Sequence, residues 1–307
     1  MATINPIRTG SETSTKRVES TTALLFIIPL FIMMFVFIFF PVFFSFYISL
    51  YHYDPFFHSV YFVGLSNYIS VLENHDFIFS ILNVLYYTAV VVPIQTFLAF
   101  FFALLFNNKL PASRITRALV FLPAISSPVA FSIIFIWVFS PQGLVNSVLS
   151  HIDIFNIPHN ENWFLSTTYA FPAVMAMNIF STAPYFMVIY IAGLQAIPTQ
   201  ILEAAALDGV KSSWSKFRYI YFPMLRFTTT FVVILGLIGA IQLFDQVFVI
   251  TSGGPAHATY VPLMFIYNRA FIYDALGEAA AASFVLFAVI MVITLTQRRF
   301  FKEMSWG

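Results

Sequence analysis

The chain has no cysteine and little charge, with Asp, Glu, Lys and Arg making up only 9% of its 307 residues. The first absence excludes a disulfide framework and any cysteine metal site. The second excludes an ordinary soluble domain, where about 25% of residues are charged. The formal net charge of +1 comes without a basic block, so nothing here favours nucleic acid. A G-x-x-x-x-G-K-[ST] stretch is also missing, and with it a backbone cradle for nucleotide phosphates. Gly253-Gly254-Pro255 reads as a turn. His151, His159 and Glu161 fall in one loop but fit neither a helical i, i+4 pair nor a metalloprotease motif. No nucleophile elbow is visible. No metal site and no catalytic residue is assigned.

What the chain does have is apolar length: 60% hydrophobic residues, 40 of them Phe, and a mean hydropathy of +0.87. Residues 1–20 are polar and read as a disordered cytoplasmic tail, leaving 21–307 as one membrane domain. The uncharged run from Ser20 to Tyr53 is too long for a signal peptide, and no A-x-A site closes it. It reads as a retained first helix, near Ala23–Leu50, bent by Pro29 and Pro41. Five further windows follow: Phe77–Asn108, Ala118–Ile152, Asn162–Leu202, a fifth from Phe227 interrupted by Asp245, and Ala279–Gln297. Each holds the roughly 20 apolar residues that a crossing helix needs, and no alternating strand pattern competes. The expected fold is all-α, an integral membrane protein of six transmembrane helices.

Basic residues orient the spans. With the N-terminus inside, the cytoplasmic segments hold Arg8, Lys16, Arg17, Lys109, Arg114, Arg117, Lys211, Lys216, Arg218, Arg226, Arg298, Arg299 and Lys302. That is 13 of the 14 basic residues, with Arg269 alone outside. Both termini are therefore expected in the cytoplasm. The outer loops, near Tyr51–Asp76, Asp153–Glu161 and Thr251–Glu278, are mainly acidic.

The segment 199–223 is too charged to cross a bilayer and too patterned to be a spacer. Thr199 is a plausible N-cap, Gln200–Asp208 a short helix of good formers, and Gly209 its left-handed stop. At ~1.5 Å per residue this helix spans about half a bilayer core, so it lies on the cytoplasmic surface as a docking element. Ala204, Ala205 and Ala206 would let a partner approach closely. The triplet Glu-Ala-Ala recurs at Glu278-Ala279-Ala280, so the triplet alone does not discriminate.

The wider spacing does. Glu203, Ala204, Ala205, Asp208, Gly209, Phe217, Ile220 and Pro223 resemble the coupling loop of ABC importer permeases, with Phe222 where the family usually has Leu. Gly64-Leu65-Ser66-Asn67-Tyr68, Phe121-Leu122-Pro123 with Trp137, and Gly193-Leu194-Gln195-Ala196-Ile197-Pro198 resemble further family segments. Phe244-Asp245 followed by Thr251-Ser252-Gly253-Gly254-Pro255 is similar to the first permease subunit of maltose-type carbohydrate importers. The resemblance covers residues 20–300. It implies a bacterial or archaeal inner-membrane protein paired, as a heterodimer, with a second permease and served by two ATPase subunits. It further implies an extracellular solute-binding protein that meets Gly253, Gly254 and Pro255. This chain would then carry no cofactor, ATP and magnesium residing on the ATPase. Glu203, Ala204, Ala205, Asp208 and Gly209 would couple to that ATPase. The helical prolines Pro93, Pro123, Pro128, Pro172 and Pro184 could set bends for rigid-body alternating access.

A solute path is expected at Asn178, Thr182 and Tyr185 on the fourth span and at Gln242, Asp245 and Gln246 on the fifth. A carboxylate inside a span costs at least ~2.5 kcal/mol, so Asp245 should face a polar cavity or a partner cation such as Arg269. Helical spacing puts the residues of each trio on one face. Bundle-holding hydrogen bonds are the plainer reading of the same residues. The resemblance favours the path, since the related maltose subunit contacts sugar from these two helices, with a Tyr matching Tyr185. An importer of a non-sugar solute shares the coupling loop. A self-sufficient channel or secondary transporter would have to use Asp245 as its ion-coupling group.

Overall fold

The computed structural model describes residues 26–54, 59–107, 113–151, 161–210 and 212–303. The expected tail and His159 lie outside them. The chain folds as an all-α membrane protein. Five helical spans are long and apolar enough to cross a bilayer: α1 (Phe26–Ser49), α3 (His75–Asn107), α7 (Ala170–Gln195), a broken fifth span within Arg226–Ile250, and the Leu276–Gln297 part of α13 (Leu276–Glu303).

The third expected span is a bent pair. Helices α4 (Ser113–Ile125) and α5 (Pro128–Val138) meet at 100°. Ser127 is extended (φ −57°, ψ 132°) because the residue before a proline is pushed out of the helical region, and Pro128 opens the next helix. Proline 93 and Pro184 stay inside continuous helices, while Pro172 sits in the first turn of α7. The marked change of direction is therefore at Ser126-Ser127 and not at those prolines.

The connections contain structure the hydropathy pattern does not announce. Tyr51–Asp54 (β1) and Ser59–Phe62 (β2) pair antiparallel, with Tyr51 opposite Phe62 and His52 opposite Tyr61. These aromatic residues suit a pleated surface, and both pairs bring their rings together across the strands. The next helix, α2 (Ser66–Glu73), carries Asn67, whose amide donates to the carbonyls of Ser49 and Tyr51. Tyr68 shares a 2.7 Å hydroxyl hydrogen bond with Ser49. The Asn-Tyr pair thus ties the C-terminal end of α1 to the loop. Helix α6 (Leu144–Leu149) follows α5 before α7.

The core forms mainly between α3 and α7. Ala99 and Ala103 from α3 and Ala173 and Ala183 from α7 are buried, and such small residues let helices approach closely in lipid. Tyr87 stacks on Phe171, with ring centroids 5.5 Å apart. By contrast α1 buries only Ser49 among its described residues, and its Phe-rich surface is left for lipid or another subunit.

Candidate functional site: an exposed short helix and a polar cavity in the bundle

Helix α8 (Thr199–Leu207) projects from the bundle with every residue exposed except Leu202 and Ala205, which are half-buried. Its N-cap is Pro198 and not Thr199; Thr199 is the first helical residue and makes no capping bond. Its end is closed by two backbone hydrogen bonds, Val210 N–H to Ala205 C=O (2.9 Å) and Gly209 N–H to Ala206 C=O (3.3 Å). That is a Schellman stop, which requires a left-handed residue, and Gly209 has φ +87°. The spacing from Ala205 to Gly209 is thereby given a physical reason.

The next segment, 213–224, is labelled α9. It comprises an α-turn (Ser213–Lys216), a π stretch (Phe217–Tyr221) and a last α-turn (Phe222–Met224). Ile220 is buried, and the Phe217 ring contacts Phe100 of α3 edge-on at 5.5 Å and Trp214 at 5.3 Å. So the motif divides in two. Glu203, Ala204, Asp208 and Gly209 are presented outward, while Phe217 and Ile220 anchor the loop to the bundle. Leu207 (90% exposed) and Trp214 (71%) were not singled out from the sequence. Large apolar side chains left exposed in a polar loop are the signal that could have picked them out.

The fifth span differs from the continuous helix expected. It consists of α10 (Arg226–Ile241) and α11 (Asp245–Ile250), separated by Gln242-Leu243-Phe244, where Phe244 takes φ −145° and ψ −62°. Gln242, Asp245 and Gln246 therefore do not form one helical stripe. The break nevertheless brings all three to one cavity of about 220 Å³, shared with Asn178, Thr182 and Gln95. Asp245 stands in the first turn of α11, where the helix dipole favours a negative charge. Arg269, its suggested partner, instead pairs with Glu278 at 3.2 Å. The second Glu-Ala-Ala triplet thus contributes Glu278 to an ion pair.

Gln95 was missed in the sequence reading, although an amide within an apolar span is itself a functional signal. It is 2% exposed and accepts a 2.7 Å hydrogen bond from Thr182, whose hydroxyl also lies 2.8 Å from the Asn178 carbonyl. Tyr185 lies in an adjoining cavity of about 180 Å³ with Pro123, Ser126, Ser181 and Phe131. Thr182, Phe186 and Gln246 line both cavities. The combined wall offers amide donors and acceptors, hydroxyls, one carboxylate and the exposed ring of Tyr185, a set suited to a polar, polyhydroxylated solute.

Gly236 permits this arrangement. A β-carbon there would sit 2.7 Å from the Gln95 amide nitrogen and 3.5 Å from Val92. Gly236→Ala is expected to cost about 1–3 kcal/mol through overpacking and to shift Gln95 from the cavity. A thermal melt of the purified protein should show it. An unchanged melting temperature would mean that the α3–α10 contact yields freely.

The C-terminal end of the fifth span leads into a clasped loop. Thr251 and Thr259 share a 2.7 Å hydroxyl bond, and Thr259 donates to the Gly254 carbonyl at 2.8 Å. Asn83 of α3 donates to the carbonyls of His257 and Tyr260, and Asp76 lies 3.4 Å from His257. Asn268, on α12 (Pro262–Phe271), donates to the Tyr260 hydroxyl; burial raises the pKa of that hydroxyl above the ordinary tyrosine value. Gly253 is buried, facing the Tyr260 ring, and Gly254 and Pro255 are half-buried; Ser252, Ala256 and His257 are the exposed residues of this loop.

The family model described as "Binding-protein-dependent transport system inner membrane component" matches residues 74–305. The lactose transport system permease protein LacF of Rhizobium radiobacter is 35% identical over 240 residues, covering 77% of this chain and 80% of that protein. The trehalose/maltose transport system permease protein MalF of Thermococcus litoralis is 32% identical over 238 residues, 76% of this chain and 78% of that one. The fold resembles a chain of a bacterial alginate ABC transporter solved in complex with an alginate pentasaccharide-bound periplasmic protein. The TM-score is 0.79 at 19% identity, over 96% of this chain and 98% of that chain.

Proposed function

This chain belongs to the family of inner membrane components of binding-protein-dependent transport systems, and from that premise we propose that it forms half of the path for a sugar or sugar-like solute. It is the membrane-spanning permease, with ATP hydrolysis belonging to a separate subunit. The observation that carries the solute reading is the cavity where Gln95, Asn178, Thr182, Gln242, Asp245 and Gln246 converge, with Tyr185 next to it. The lactose and trehalose/maltose relatives support the same solute class. Each cavity is smaller than the ~300–1,000 Å³ of a typical ligand pocket. That size fits a half-site whose facing wall is supplied by a second permease.

The reading places one of two ATPase subunits at α8, with Glu203, Ala204, Ala205, Asp208 and Gly209 at the contact. ATP and magnesium remain on those subunits. Movement would pass from α8 through Phe217 to Phe100, whose ring meets Tyr190 of α7 at 5.0 Å. Tyr190 in turn donates a 3.0 Å hydrogen bond to Thr229 of α10. The coupling loop is thus joined by packed rings to the helices that line the cavity, as rigid-body alternating access needs. On the outer side the clasped loop at Gly253, Gly254 and Pro255 would hold Ser252, Ala256 and His257 toward a solute-binding protein. The chain would sit in the inner membrane of a bacterium or archaeon.

This assembly requires α8 to face the cytoplasm. A reporter inserted at Ser212 or fused after Gly307 is expected to be active only in its cytoplasmic form, given that 13 of 14 basic residues fall on that side. A periplasmic signal at Ser212 would overturn the orientation and the coupling role together. Purification of the chain with an ATPase, and uptake of a sugar by the purified complex in vesicles, tests the function directly. Uptake driven by an ion gradient in the absence of ATPase would instead establish a secondary transporter.

A further inference from the structure

A cavity of about 690 Å³ lies between α3, α4 and α7. Its walls include Leu98, Phe102, Leu119, Ile179 and Pro184, and no polar side chain lines it. At its Phe106 end the character changes. The Arg117 guanidinium, one turn before Val120 on α4, donates through Nη2 to the Phe106 carbonyl. Its Nε is buried and has no hydrogen-bond partner. Arg117 as a whole is only half-buried, and guanidinium geometry suits phosphate oxygens. An apolar groove ending in a guanidinium has the complementary layout of a phospholipid: acyl chain along the walls, phosphate at the interface.

We propose that this groove holds an anionic phospholipid, with an acyl chain between α3, α4 and α7 and the phosphate on Arg117. In the proposed orientation the headgroup belongs to the cytoplasmic leaflet, where it would brace the bent α4–α5 pair against α3. The site is separate from the polar cavity, although Pro123 lines both this groove and the Tyr185 cavity. It does not depend on which solute is carried.

The test uses the chain purified with its accompanying subunits, reconstituted in nanodiscs of phosphatidylcholine and phosphatidylglycerol, with retained lipid read by native mass spectrometry. The wild type should retain phosphatidylglycerol above its bulk proportion. Arg117→Gln should lower that enrichment about fivefold, the scale of one interfacial cation, and Arg117→Lys should keep part of it. Ala176→Phe, which fills the apolar part without touching the charge, should displace the lipid even if the Arg117 variants fold poorly. A photo-crosslinker at position 119 should label phosphatidylglycerol. Retention at the bulk ratio in the wild type, retention unchanged in both Arg117→Gln and Ala176→Phe, or a crosslink from position 119 to a second permease would each overturn the proposal.

Discussion

Gly209→Arg is expected to leave the chain inserted and folded while solute-stimulated ATP hydrolysis falls tenfold or more, a loss of about 2 kcal/mol on the scale of interface hot spots. Two effects of the substitution can be separated. A left-handed non-glycine residue costs roughly 1–2 kcal/mol wherever it occurs. The added side chain, by contrast, meets nothing of this chain, since no atom lies within 4 Å of a β-carbon built at Gly209. Gly209→Ala therefore carries the strain without the obstruction and should lower stability while coupling persists. Glu203→Lys should uncouple by charge reversal, because Glu203 is exposed on α8 and makes no hydrogen bond or ion pair among the described residues. Glu278→Lys provides the contrast: it unpairs Arg269 and the Ser70 hydroxyl on the outer side and should leave ATPase attachment intact. Attachment is read by co-purification and coupling by hydrolysis with liganded binding protein. Stimulated hydrolysis at the wild-type level in Gly209→Arg would remove α8 from the coupling role.

Why the exposed helix and its glycine stop could be read from sequence, and the cavity only in part, has a physical answer. The Schellman stop at Gly209 depends on local backbone geometry, and the half-buried Phe217 and buried Ile220 sit at fixed offsets from it, so short-range pattern suffices. Spans are legible for a similar reason, since bilayer thickness sets a length. The fifth span was harder. Helical spacing would put Gln242, Asp245 and Gln246 on one helix face; they meet at one cavity instead through a break at Gln242-Leu243-Phe244 that periodicity cannot show. The 100° bend at Ser126-Ser127 could have been inferred from Pro128, yet apolar length alone made that window look like a simple crossing. Gln95 was hidden because its significance arises from Thr182, 87 residues away in sequence. The outer hairpin was overlooked because Tyr51 and Phe62 are aromatic in a chain where aromatics are everywhere.

Gln242→Ala and Tyr185→Ala should each reduce uptake about three- to tenfold in complexes whose expression and basal ATP hydrolysis match the wild type. The size follows from one net hydrogen bond, ~0.5–1.5 kcal/mol, or one ring face of similar worth. Gln242 is exposed at the break, and Tyr185 is 48% exposed in the adjoining cavity, so truncating either should leave packing largely intact. Gln95→Ala is a different case. It removes the acceptor of the Thr182 hydroxyl from a nearly fully buried position, so it should lower thermal stability as well as uptake. This contrast separates a path from a staple. Residues that only hold the bundle together would behave like Gln95, losing stability in proportion to transport. Residues that meet the solute should raise the concentration needed for half-maximal uptake while the melting temperature holds. Normal uptake with normal apparent affinity in both Gln242→Ala and Tyr185→Ala would show that solute passes elsewhere, and the polar cavity would then be a structural feature of α3, α7 and α10.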